Sequence, residues 1–132
     1  TKYLQIAADG GAAFGQYLLA SMYKIGEIGL FGREQKAMKY FEMAAKQGDA
    51  KSQVELADMI MLAKKSKYTL DDMVFWLACA YLHGNQAEEE SNAALQRINH
   101  LISNGMPGGK AYVEKVLDNV KRNYQVYLKK PF

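Results

Sequence analysis

The sequence holds one cysteine, two prolines and two histidines in 132 residues. The lone Cys79 excludes an internal disulfide, and its apolar setting in WLACAYLHG reads as core, where cysteine packs as a small hydrophobe. His83 and His100 fall in different helical units, with no His, Cys or carboxylate at a ligand spacing such as HExxH. No metal site is expected, and His83 reads as a residue at a helix C-terminus and His100 as a surface residue. Long apolar runs are also missing. None approaches the roughly 18 to 20 residues of a membrane-spanning helix, so no direct membrane insertion is expected.

No single sign of charge dominates. The 17 basic and 14 acidic residues give a net charge of +3 and mostly alternate, the pattern of solvated helix faces rather than of a nucleic-acid footprint. Only the tail leans basic, with Lys110, Lys115, Lys121, Arg122, Lys129 and Lys130 against Glu114 and Asp118. A nucleic-acid partner is not expected. Catalytic patterns are absent too: there is no G-x-S-x-G, no Cys–His pairing and no cofactor box. The loop GEIGLFG lacks the preceding strand and the Lys-Ser/Thr of a phosphate cradle, and reads as a corner between helices. Glu88, Glu89 and Glu90 fall in the first turn of a helix, where acids suit the positive end of the dipole better than they suit acid–base chemistry. The chain is therefore read as a non-enzyme with no catalytic residues and no cofactor.

What is present is helix. Apolar residues recur at i, i+3, i+4 and i+7 almost throughout, and no stretch alternates with the period of a strand. Glycine-rich breaks at GG, QGD, HGN and NGMPGG divide the chain into helices near 2–9, 13–25, 34–47, 50–64, 70–83, 87–104 and 108–129. Thr69 and Asp72 form a capping pattern before MVFWLACAYL. Short linkers predict antiparallel hairpins within one domain, which at this length buries a core without disulfide or metal. The opening TKYLQIAA is already helix-like, so the sequence reads as cut from a longer one.

KYLQIAADGGAAFGQYLLASM at 2–22 returns as KYFEMAAKQGDAKSQVELADM at 39–59, 37 positions later. The copies agree at Lys2/Lys39, Tyr3/Tyr40, Ala7/Ala44, Ala8/Ala45, Gly11/Gly48, Ala13/Ala50, Gln16/Gln53, Leu19/Leu56, Ala20/Ala57 and Met22/Met59. These are packing positions: paired alanines let helix backbones approach, and the glycine supplies a left-handed turn that ends one helix. A third copy places Trp76 at the position of Tyr40, Ala80 at that of Ala44 and Gly84 at that of Gly48. A two-helix period in the mid-thirties is the signature of a helical solenoid, whose hairpins bury their apolar faces on one another.

These residues resemble the Sel1-like repeats, relatives of the tetratricopeptide repeats. The family's spaced pattern is met by Ala13, Leu19-Ala20, Tyr23-Lys24-Ile25-Gly26, Gly29-Leu30, Lys36-Ala37, Tyr40 and Ala44-Ala45-Lys46-Gln47-Gly48, while Arg33 stands where the family usually has Asp. The resemblance implies an all-α, right-handed α/α solenoid. Its units are a partial repeat at 2–11, repeats at 12–48 and 49–84, and a divergent capping helix pair at 85–132. It further implies a scaffold or adaptor that binds a protein or peptide in a concave groove, as in toxin immunity or envelope assembly, with a glycan- or peptidoglycan-associated regulator of an envelope enzyme as the alternative. It favours the bacterial periplasm over the cytoplasm.

In such a solenoid the first helix of each pair lines the groove. Ala13, Gln16, Leu19, Ala20 and Tyr23 are expected to point inward, leaving Phe14, Tyr17, Leu18 and Ser21 for a partner, with Lys51, Val54, Glu55 and Asp58 at equivalent places in the next repeat. Tyr3, Leu4 and Ile6 are expected to lie open at the N-terminal edge, so the chain is either a monomer or a homodimer through that edge.

Overall fold

Gly11 and Gly48 occupy the same place in the repeated phrase and adopt the same conformation, at φ of 95° and 92°. Each ends a helix in the same way. Gly11 N–H donates to the Ala8 carbonyl at 3.1 Å and Ala12 N–H to Ala7 at 3.0 Å, and the next copy repeats this with Gly48 to Ala45 at 3.0 Å and Asp49 to Ala44 at 3.2 Å. Only a residue at ease with positive φ can turn the chain this sharply while satisfying the last carbonyls.

The computed structural model describes residues 2–26, 32–63 and 66–128, with the side chains of the last helix described through Asn123. The described residues form α1 (Lys2–Asp9), α2 (Ala13–Ile25), α3 (Arg33–Lys46), α4 (Ala50–Leu62), α5 (Leu70–Tyr81), a 3-10 turn (Gly84–Ala87), α6 (Glu88–Ser103) and α7 (Gly109–Leu128). The protein is all-α, with no strand among the described residues. Most of the corner GEIGLFG, residues 27–31, and Lys129 and Lys130 lie outside the described residues.

Local chemistry accounts for the starts. Asp49 accepts from the Ser52 N–H at 3.0 Å and caps α4. The expected box at α5 is reciprocal, with Thr69 N–H donating to Asp72 at 2.9 Å and Asp72 N–H to Thr69 at 3.3 Å. The end of α5 differs from expectation. Helix was expected to 83, but it stops at Tyr81, because His83 N–H bonds the nearer Ala80 carbonyl at 3.3 Å and Gly84 enters positive φ at 52°.

Helices α1 to α6 pack chiefly on their chain neighbours, whereas α7 packs chiefly on α5, and α4 also meets α6. Helices α2 and α3 run antiparallel, since Gln16 meets Gln47 at one end and the Tyr23 ring meets Lys36 at the other. The core is built from the repeated positions: Ala8 and Ala45, Leu19 and Leu56, Ala20 and Ala57 are all buried, as are Tyr40 and its counterpart Trp76. Cys79 is fully buried within it, as its neighbours imply.

One polar tie recurs three times. Gln16 Nε2 donates to the Ala8 carbonyl at 3.1 Å, Gln53 Nε2 to Ala45 at 3.1 Å, and Ser91 Oγ to Tyr81 at 2.6 Å. Each donor is the fourth residue of its helix and reaches back to a carbonyl in the last turn of the helix before, where the intrahelical ladder has run out of donors. The tie thus locks α2, α4 and α6 each to the helix before it. Its second half is unequal: Gln16 Oε1 accepts from Gln47 Nε2 at 2.8 Å, whereas Gln53 Oε1 is buried and accepts no bond from the described residues. Gln16→Ala therefore breaks two bonds and Gln53→Ala one. At about 0.5–1.5 kcal/mol per net bond, urea denaturation is expected to show Gln16→Ala as the more destabilised by about 1 kcal/mol, and the reverse order would sink this account.

Candidate partner-binding cleft

The N-terminal ends of α2 and α4 and the chain between α5 and α6 come together around one open cleft. It encloses about 430 Å³ and is lined by Phe14, Tyr17, Gly48, Asp49, Ala50, Lys51, His83, Gln86, Ala87 and Glu90. The fold builds it from the inter-helix ties: by pinning the first turns of α4 and α6 to the ends of α3 and α5, they bring segments far apart in sequence to one rim.

Phe14 stands at this rim with 72% of its surface exposed, while Tyr17, one turn on, is half-buried and leans its ring on Phe41 at 5.9 Å between centroids. The aromatic pair thus has one free and one anchored member. Around it the charges are mixed. Asp49 is committed to the α4 cap, where it accepts from both the backbone and the hydroxyl of Ser52. Glu90 lies in the first turn of α6 beside Glu88 and Glu89, near the positive end of that helix, as the sequence suggests. Lys51 is exposed, and His83 is buried, with its backbone N–H bonded to the Ala80 carbonyl.

Of the residues expected to meet a partner, Phe14 and Tyr17 line the cleft, and so does Lys51. Leu18 and Ser21 sit half-buried farther along α2, and the Ser21 hydroxyl donates to the Tyr17 carbonyl at 2.9 Å. Val54 is a correction: it is 7% exposed and belongs to the core. Its counterpart Tyr17 lies on a helix packed mainly between α1 and α3, whereas α4 is enclosed by α3, α5 and α6, so the same position is covered.

Glu55 and Asp58 are half-buried and already paired. Lys24 Nζ lies 2.5 Å from Glu55, tying α2 to α4. Arg97 grips Asp58 with two bonds of 2.7 and 2.9 Å, tying α4 to α6, and this bond to the carboxylate raises the guanidinium pKa further. Both acids therefore join helices to one another. Sequence reasoning missed Gly48, Asp49, Ala50, His83, Gln86, Ala87 and Glu90, which reach the cleft only through folding. The glycine breaks QGD and HGN were the one signal that pointed to these corners.

The displaced titrations lie away from the cleft. Burial pushes the Cys79 thiol up to about 12, which keeps it protonated and a poor nucleophile. Burial, followed by a hydrogen bond to Asp71, raises the Tyr112 phenol to about 12. Among the described residues no group of three or more His, Cys, Asp or Glu side chains is placed to hold a metal ion, and no helix is long and apolar enough to cross a membrane. The chain matches no family model, no curated protein and no solved structure.

Proposed function

We propose that this chain is a non-catalytic scaffold that holds a protein or peptide in the cleft across the starts of α2, α4 and α6. The observation that carries the reading is Phe14. A phenylalanine that is 72% exposed contributes little to the fold, and it stands beside a half-buried tyrosine at the mouth of a concave surface, the arrangement of an interface anchor. The mixed charge of Lys51 and Glu90 suits a peptide's polar groups.

The architecture we propose behind it is a right-handed α/α solenoid of Sel1-like hairpins closed by α6 and α7. The phrase repeated at 37 residues, the twin Gly11 and Gly48 turns, and the three inter-helix ties support it. Toxin immunity and envelope assembly are the settings that the resemblance suggests.

The test is capture from the source cell with the wild type, followed by calorimetry of each purified candidate against wild type, Phe14→Asp and Lys51→Glu. Both substitutions fall on exposed positions and are expected to leave Tm within a few degrees. Phe14→Asp is expected to weaken the partner at least about 30-fold, in line with loss of an aromatic anchor worth roughly 2 kcal/mol. A partner indifferent to both variants would overturn the cleft reading. Binding of peptidoglycan fragments instead of a protein would establish the glycan alternative.

A further inference from the structure

The acids on the starts of α4 and α6 differ in what holds them. Glu55 and Asp58 are committed to Lys24 and Arg97, and Asp49 accepts both the N–H and the hydroxyl of Ser52. Glu90 is half-buried on the cleft wall, yet it forms no ion pair with any described residue. A carboxylate partly withdrawn from water without a counter-charge favours an incoming cation. The rest of the wall agrees in sign. Its carboxylates are Asp49 and Glu90, and its one ammonium, Lys51, is exposed and so screened by water and salt.

The other wall is aromatic. Phe14 offers a ring that is 72% exposed, and Tyr17 is fixed one turn on by its tilted contact with Phe41. The face of such a ring attracts cations, arginine more often than lysine, and the attraction grows as the pair leaves water. A carboxylate and aromatic rings around one space call for a group that serves both. Guanidinium does so, because its plane lies flat on a ring while its fork of N–H donors points in that plane to a carboxylate, whereas an ammonium is a strongly hydrated point charge. Gly48, Ala50 and Ala87 make up the small-residue part of the lining and leave room for the main chain that would flank the side chain.

On the reading that this cleft holds the partner, we propose that it does so through an arginine side chain of the partner, stacked on Phe14 and Tyr17 and donating to the Glu90 carboxylate. Lys51 at the rim repels a second cation, so the segment carries a single arginine rather than a basic run.

NMR titration of the whole chain with N-acetyl-arginine N-methylamide, and with its lysine and norleucine counterparts, tests the chemistry without a partner in hand. The arginine probe is expected to shift the Phe14 ring and the Glu90 amide saturably, with a dissociation constant on the order of 1–10 mM for so small a ligand. The lysine probe is expected to bind about fivefold more weakly, and the norleucine probe not to saturate. Glu90→Gln, which keeps the size of the side chain, is expected to weaken the arginine probe about tenfold with an unchanged circular-dichroism spectrum. Equal binding of the arginine and norleucine probes, no saturable shift with arginine, or binding that Glu90→Gln leaves intact overturns the proposal. A captured protein separates this outcome from failure of the cleft itself. Binding lost with Phe14→Ala but kept with Glu90→Gln removes the arginine and leaves the cleft as the site, whereas binding indifferent to Phe14→Ala as well removes the cleft.

Discussion

Phe41→Ala is expected to remove about 4 kcal/mol of stability, the upper part of the range for a large core truncation. Phe41 has no exposed surface and heads the fully buried side chains by volume, so its loss leaves a cavity that neighbours cannot fill without dragging backbone. It also ends the tilted contact that holds Tyr17 at 5.9 Å, and with it the anchored half of the cleft's aromatic pair. A domain of this kind has about 5–15 kcal/mol in total, so the variant should melt roughly 10 °C or more below wild type. Phe14→Ala is the matched control, since the same change at a 72% exposed ring should cost under about 0.5 kcal/mol. Differential scanning calorimetry of the pair decides it. A Phe41→Ala loss below about 1.5 kcal/mol would mean that the core closes over the gap and that the α2–α3 packing is looser than described.

Gly15→Leu is expected to detach α1 from the rest of the chain. Gly15 is buried where α1 and α2 touch, and even a Cβ there would lie 2.8 Å from Ala7 Cβ and 3.2 Å from the Ala8 backbone nitrogen. A leucine cannot be seated by rotating a side chain, because the obstruction includes main chain. Overpacking of this severity costs about 3 kcal/mol or more. An eight-residue helix has little intrinsic stability to resist with, so α1 should leave. Because α1 rests chiefly on α2, the loss should stay local. Hydrogen exchange is therefore expected to show residues 2–9 unprotected while α3 to α5 keep their protection. Global unfolding would instead show that α1 is integral to one cooperative core.

Much of the fold was legible because the evidence for it is local and repeated. Helix periodicity, the Thr69–Asp72 box and the glycine turns each depend on residues within a few positions of one another. Tyr3 and Ile6 are exposed, as expected. Leu4 did not follow that expectation: it is half-buried against the core because it faces inward from the same helix.

The site was legible only in part. Phe14 and Tyr17 could be found because they stand between matched packing positions on one amphipathic helix. The repeat then carried the same logic to Val54, Glu55 and Asp58, where it fails. Equivalent positions share an orientation, but they share exposure only if their helices have the same neighbours. In α4 the flanking helices cover Val54, while α2 supplies Lys24 and α6 supplies Arg97 to the two acids.

The sequence by itself determined the helices, their caps and turns, the buried alanine, glutamine and leucine positions, and the absence of a disulfide framework, since these depend on short-range geometry and on the period of apolar residues. The tertiary structure alone decided which side chains remain free. It assembled the cleft from three separated segments and committed Glu55 and Asp58 to inter-helix ion pairs, because exposure depends on which helices flank a residue and the repeat pattern is the same whether or not a neighbour is there.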